Sequence, residues 1–221
     1  MFDARYFAFA TVAALLVLSP GATMAVVLQM ALARGRRAAL ATVAGVAIGN
    51  STLALASALG MAAIFARWPR ALGVVTTGGA VYLAWLGFRG LWGAWRSGVA
   101  RSGIAGPAAT PATRAGAQPA SPAGRHAGAF ATGVVTNLLN PSVVVFYMAL
   151  LPQFIGPGDP FLLRFLVLAA THVLMALAWL TAYAAMVGTF ASWMSRPLTR
   201  RIMASVTGLV LIGFSLRLFL R

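Results

Sequence analysis

Two stretches of this chain set a capping residue directly before a proline inside long uncharged runs: Leu18-Ser19-Pro20-Gly21-Ala22-Thr23 and Thr136-Asn137-Leu138-Leu139-Asn140-Pro141-Ser142. Proline in a helix interior removes a hydrogen bond and clashes with the preceding turn, whereas the first helical position tolerates it. Serine and asparagine are favoured N-caps. Each pair therefore predicts a helix that stops and restarts, with Ser19 and Asn140 as caps and Pro20 and Pro141 as first helical residues. A half-helix that begins in an apolar medium presents free amides and the positive end of its dipole, where a carboxylate is welcome, and the carbonyls freed before the break suit an ammonium group. The candidate binding residues are thus Ser19, Pro20, Gly21, Ala22 and Thr23 at one break and Asn137, Asn140, Pro141 and Ser142 at the other. Tyr147 either closes over a solute held there or belongs to an interfacial belt.

Two further polar residues lie in uncharged runs. His172 titrates near neutral pH in water, so it is a candidate for carrying a coupling proton, or else a neutral histidine bonded to a neighbouring helix. Asn50 follows a ladder of small residues, Ala41, Gly45 and Gly49, whose spacing of four marks a close-packing face. It either lines the route or makes an interhelical hydrogen bond.

The elements that must position these residues follow from composition. The 221 residues carry 17 basic side chains, all arginine, against Asp3 and Asp159; charged residues are 9% of the chain, hydrophobic ones 61%, and mean hydropathy is +0.88. A soluble domain carries about 25% charged residues, so this chain is not one. Disorder is excluded by the apolar content, and the absence of cysteine excludes disulfides and thiolate metal sites. Despite a net charge of +15, the arginines punctuate neutral runs instead of forming a face, which argues against nucleic acid. No glutamate, His-Glu-x-x-His zinc site or Gly-x-Ser-x-Gly elbow is present, so neither an enzyme nor a metal or other cofactor is expected. The expected class is an all-α integral membrane protein whose partner is the lipid bilayer.

The uncharged runs are 6–33, 38–66, 71–88, 127–158, 165–195 and 202–216. About 20 apolar residues cross the hydrocarbon as a helix, and the short last run reaches that length if Arg217 snorkels. Six transmembrane helices are expected, the first and fourth broken at their prolines. The first run is too long for a signal-peptide core. Residues 97–126, rich in Ala, Gly, Ser, Thr and Pro, read as a flexible linker between three-span halves 1–96 and 127–221. Three spans per half make the two halves inverted repeats, and Pro20 lies 14 residues after Tyr6 as Pro141 lies 14 after Ala127. Arginines concentrate at the first, third and fifth connections, which the positive-inside rule places in the cytoplasm together with the linker, leaving both termini periplasmic. Tyr82, Trp85 and Trp92 read as a cytoplasmic interfacial belt.

These residues together resemble the LysE/RhtB group, the lysine exporter family of bacterial amino-acid efflux permeases. The resemblance is carried by Ser19-Pro20-Gly21; Arg34-Gly35-Arg36-Arg37 with Gly45 and Gly49; Gly79 with Tyr82-Leu83-Ala84-Trp85-Leu86-Gly87; Asn137-Leu138-Leu139-Asn140-Pro141 with Leu151-Pro152-Gln153-Phe154; and Arg200-Arg201 with Thr207-Gly208 and Gly213. The chain departs from the family where Ala22 and Thr23 replace a frequent second proline and an acidic or amide residue, and where Ser142 replaces a frequent lysine. The resemblance implies a secondary transporter in the bacterial inner membrane that moves amino acids outward, driven by the membrane potential or a proton gradient; the inverted repeats suggest that the two halves rock about the site. With no acidic residue inside any span, the expected substrate has a neutral side chain, of the homoserine, threonine or leucine type. A passive channel and a non-transporting scaffold are the alternatives, and Gly45 and Gly49 permit a homodimer face as readily as internal packing.

Overall fold

A computed structural model describes residues 3–68, 71–96, 122–156, 158–186 and 196–219. They form helices throughout, with no strand among the described residues. In chain order these are α1 (Ala4–Leu18), α2 (Ala22–Arg34), α3 (Arg36–Arg67), α4 (Ala71–Arg96), α5 (Pro122–Leu138), α6 (Pro141–Val145), a π-helical turn (Phe146–Leu150), a 3-10 turn (Leu151–Phe154), α7 (Phe161–Ala185) and α8 (Pro197–Phe219). Helices α3 and α7 are each long and apolar enough to cross a bilayer alone. The pairs Ala4–Leu18 with Ala22–Arg34 and His126–Leu138 with Pro141–Phe154 reach that standard together, each bent at its break, by 44° and 54°. The protein is thus an all-helical, multi-pass membrane protein. Residues 97–121 of the expected linker lie outside the described residues, and 122–126, also assigned to it, already belong to α5.

The two breaks are built differently. Asn140 behaves as expected: its Oδ1 accepts the Ser142 N–H at 3.1 Å, and Pro141 occupies the first turn of α6, where no N–H is needed. Ser19 does not act as an N-cap. It closes α1, its N–H donating to the Leu15 and Leu16 carbonyls, and Gly21 starts α2 with no side-chain cap. The pre-proline restriction holds both Ser19 (φ −67°, ψ 128°) and Asn140 (φ −80°, ψ 107°) extended, as an N-cap can be; the difference is Gly21, which is extended as well, so that α2 begins only at Ala22, out of reach of the Ser19 side chain as a cap. Pro20 therefore lies between the half-helices instead of opening the second.

Past Asn140 the helix loosens. Phe146–Leu150 widens to a π turn and Leu151–Phe154 tightens to 3-10 around Pro152, which has no N–H to give an α-helical ladder. Gln153 Nε2 donates to the Ala149 carbonyl at 2.7 Å, satisfying one acceptor of this irregular turn.

Glycines set the helix crossings. A Cβ on Gly45 would lie 2.1 Å from the Phe130 carbonyl oxygen of α5, and one on Gly133 would lie 2.2 Å from the Thr42 carbonyl oxygen of α3, so α3 and α5 touch backbone to backbone. Thr42 Oγ1 reinforces the crossing through the Ala129 carbonyl, 3.1 Å away. Gly87 of α4 and Gly208 of α8 meet in the same way, each Cβ position 2.7 Å from the other's carbonyl oxygen. The small-residue ladder thus packs internally, leaving nothing at Gly45 or Gly49 for a homodimer face.

Two apolar clusters fill the interior. One joins Phe9, Val12 and Ala13 of α1 to Ala54 and Met61 of α3, to Phe146, Tyr147, Leu150, Leu151 and Phe154, and to Phe165 and Leu168 of α7. The other joins Met24 and Val27 of α2, Val43 and Val46 of α3, and Leu180 and Tyr183 of α7.

Candidate functional site

Between these clusters lies a cavity of about 190 Å³, bordered by Leu16, Phe146 and Leu150 toward the first and by Met24, Val46 and Leu180 toward the second. Drug-sized sites run to about 300–1,000 Å³, so this one suits a small solute. Both helix breaks open into it. Ser19, Pro20, Gly21, Ala22 and Thr23 line it from one side and Asn137, Asn140 and Ser142 from the other, with Asn50 and His172 completing its polar wall. Ten of the twelve residues singled out from the sequence therefore share one cavity. Pro141 and Tyr147 do not line it.

Tyr147 is fully buried behind the wall, where its hydroxyl lies 2.9 Å from His172 Nδ1, so it touches the cavity only through that ring. His172 packs against Phe146 with the rings tilted by 33°, centroids 4.2 Å apart. The π turn contributes to this arrangement, since it carries Phe146 and Tyr147 and widens the helix facing α7. Asn50 and Asn137 are both buried, and Asn137 Nδ2 donates to Asn50 Oδ1 at 2.8 Å. Gly49 makes room for this pair: a Cβ there would stand 3.0 Å from Asn137 Cβ.

Tyr82 also lines the cavity, which corrects its assignment to an interfacial belt; Trp85 and Trp92 are exposed, as a belt requires. Nothing in the sequence separates Tyr82 from its neighbours, because α4 reaches the site only through tertiary packing. The apolar lining residues were equally unmarked. Among the described residues, no arginine, aspartate or glutamate borders the cavity. Its chemistry is that of hydroxyls, carboxamides, backbone amides and one imidazole, able to hold a small zwitterionic solute without a fixed countercharge.

At the α1 end of the molecule the chain's two carboxylates converge on one buried cation. Arg164, in the first turn of α7 and 4% exposed, donates to Asp3 Oδ1, and its Nε lies 3.8 Å from Asp159 Oδ2. Asp3 also caps α1 through the Tyr6 N–H at 2.9 Å, and this bond, followed by that to Arg164, holds its carboxyl below the usual carboxylate range. Asp159 accepts the Gly156 N–H at 2.8 Å. A buried guanidinium at a helix N-terminus, the positive dipole end, needs such partners.

Comparisons with known proteins identify the family. The family model described as LysE type translocator matches residues 14–221. The chain is 31% identical to the homoserine/homoserine lactone efflux protein of Salmonella typhimurium over 87% of this chain and 84% of that protein. It is 26% identical to the threonine efflux protein of Escherichia coli K12 over 77% and 75% of the two chains, and 25% identical to the membrane protein YrhP of Bacillus subtilis over 95% and 96%. No solved structure matches the chain significantly. Matching its sequence across both breaks and the cavity they line, the chain belongs to the LysE type translocators.

Proposed function

We propose that this protein exports amino acids with neutral side chains from the bacterial cytoplasm, as a secondary transporter of the inner membrane. The observation that carries the reading is the cavity at the two helix breaks, lined among the described residues by apolar side chains and uncharged polar groups, with no ionic side chain. A lysine or arginine side chain would find no carboxylate there, whereas a hydroxyl or aliphatic one needs none. Relatives named for efflux of homoserine and threonine point to the same class.

One oxygen of the substrate carboxylate meets the amides at the start of α2, which Gly21 leaves without a side-chain cap, and the other is left to side chains of the wall. The corresponding amide of α6 is engaged by Asn140 Oδ1, so the second break contributes side chains more than free amides. Six spans in two inverted repeats organise the site, with both termini periplasmic and residues 97–121 cytoplasmic. The pairing of elements supports this: α1 packs on α7 as α5 packs on α3, and α4 pairs with α8.

Alternating access then exposes the site to each side in turn. The glycine contacts tie α3 to α5 and α4 to α8 across the two sequence halves, so the halves do not rock as separate bodies; those four helices form the frame. The moving part on the periplasmic side is α1, which meets α7 through Asp3 with Arg164, Tyr6 with Thr171 at 3.2 Å, and Phe9 in the apolar cluster.

Proteoliposomes preloaded with mixed amino acids, followed by mass spectrometry with and without an imposed proton gradient, test the reading. Selective, saturable loss of neutral amino acids is expected. Preferred loss of lysine or arginine removes the substrate assignment, and loss of none removes the transport reading.

A further inference from the structure

The hydrogen bond between Asn137 and Asn50 is unusual in what it leaves over. A carboxamide has two donor hydrogens and an oxygen with two lone pairs. The Asn137 Nδ2 to Asn50 Oδ1 bond uses one donor and one lone pair. Asn137 Oδ1 and Asn50 Nδ2 then have no protein partner among the described residues, and neither atom is sealed from the cavity that both residues border. Whichever amide donates, such a pair leaves one carbonyl oxygen and one NH2 group. Both residues are more than nine-tenths buried, at 1% and 3% exposure, so unused hydrogen-bonding capacity there is costly unless something in the cavity meets it.

The pair is also held in place. Asn137 sits against the backbone of Gly49, and the α3–α5 crossing is fixed by Gly45 and Gly133 close by. One amide comes from α3 and the other from the turn before the Asn140 break, and both residues border one cavity. An oxygen acceptor beside an NH2 donor complements an ammonium beside a carboxylate.

We propose that the Asn50–Asn137 pair is the element that recognises the head group of the substrate: the unused carbonyl oxygen receives the α-ammonium and the unused NH2 donates to the α-carboxylate. This rests on the amino-acid reading above and deepens it. Selection at the pair is for the zwitterionic head, common to every α-amino acid. Discrimination between side chains belongs to the rest of the wall, where Thr23, Tyr82, Ser142 and His172 stand.

The test is counterflow of radiolabelled threonine and homoserine in proteoliposomes, with threonine amide (blocked carboxylate) and N-acetylthreonine (blocked amine) as competitors. The unmodified protein should be inhibited at least about tenfold more weakly by either blocked compound than by threonine. Asn50→Leu and Asn137→Leu should raise the half-saturating concentration about tenfold or more for threonine and homoserine alike. Asn137→Asp should shift preference toward the cationic amide over the anionic N-acetyl compound. Equal competition by the blocked compounds, or half-saturation unchanged in the leucine variants, overturns the proposal while leaving amino-acid transport standing. If the unmodified protein carries neither label, both readings fall together. If the leucine variants do not fold, competition on the unmodified protein decides alone.

Discussion

Asp3 and Arg164 are 161 positions apart in sequence and joined by an ion pair that ties the start of α1 to the start of α7. Asp3 is half-exposed and Arg164 almost completely buried, so the pair matters mainly as the partner of a cation that water does not reach. Its pH dependence has a defined sign. The folded pKa of Asp3 lies below the ordinary 3.8, so its contribution is fully present above that value and is lost as pH falls through the lower, folded one. Thermal unfolding in detergent should therefore become steeper in pH below about 4 for the parent protein than for Asp3→Asn, which should melt lower at neutral pH. Identical melting curves for the two proteins at every pH would exclude the pair as a stabilising contact.

The same pair offers a test of the proposed motion. The chain contains no cysteine, so Asp3→Cys combined with Arg164→Cys introduces the only two thiols. If the site opens outward by parting α1 from α7, a link between these positions holds it shut. A bifunctional thiol cross-linker should stop efflux, and a cleavable one should restore it on reduction. Full efflux from quantitatively linked protein would mean that α1 stays on α7 throughout the cycle.

Gly133 and Gly60 make a matched pair of substitutions. A Cβ at Gly133 would lie 2.2 Å from a backbone oxygen of α3, whereas one at Gly60 meets nothing within 4 Å. Gly133→Ala should cost about 1–3 kcal/mol or more as α3 and α5 are forced apart. Gly60→Ala, in a helix interior, should stabilise by up to about 1 kcal/mol. Melting of the purified variants distinguishes them, and equal effects would mean that the α3–α5 crossing is not close-packed.

How much of this could be read from residues alone divides along a physical line. The breaks at Pro20 and Pro141 are local chemistry, a missing N–H and a restricted preceding residue, and both were visible together with most of the polar lining beside them. Even there the cap at Ser19 was misassigned, because Gly21 stays extended after Pro20 and delays the restart of the helix to Ala22, which no local preference of Ser19 or Pro20 reveals. The Asn50–Asn137 bond, the place of Tyr82 in the cavity and the Asp3–Arg164 pair depend on which helices adjoin. Small-residue spacing announced close packing at Gly45 and Gly49 without naming α5 as the partner. Tyr147 sits in a π turn whose extra width no periodicity foretold, and it consequently lies behind His172 instead of over the cavity.

Pro20→Ala and Pro141→Ala test whether the breaks themselves are needed. Alanine restores the missing N–H and removes the restriction on the preceding residue, favouring continuous helices across positions now bent by 44° and 54°. Both variants should insert in the membrane normally and lose at least about tenfold in efflux rate, a change of roughly 1.4 kcal/mol in the barrier. Pro20→Ala should be the more damaging, because Pro20 lines the cavity while Asn140 still caps α6 without its proline. Unimpaired efflux in both would detach the site from the breaks.

His172 is the lining residue through which a proton could be coupled to export, and its hydrogen-bond partner among the described residues is Tyr147. Glutamine at 172 keeps an amide able to bond the tyrosine hydroxyl but cannot take up a proton near neutral pH. His172→Gln should therefore still release amino acids down their own gradient while losing acceleration by an imposed proton gradient. Tyr147→Phe removes the hydroxyl and leaves one ring nitrogen without its partner in a buried setting. That should lower stability by about 1–3 kcal/mol while retaining a response to the gradient. If His172→Gln responds to the gradient as the parent does, the histidine is a structural member of the wall and the coupling ion acts elsewhere.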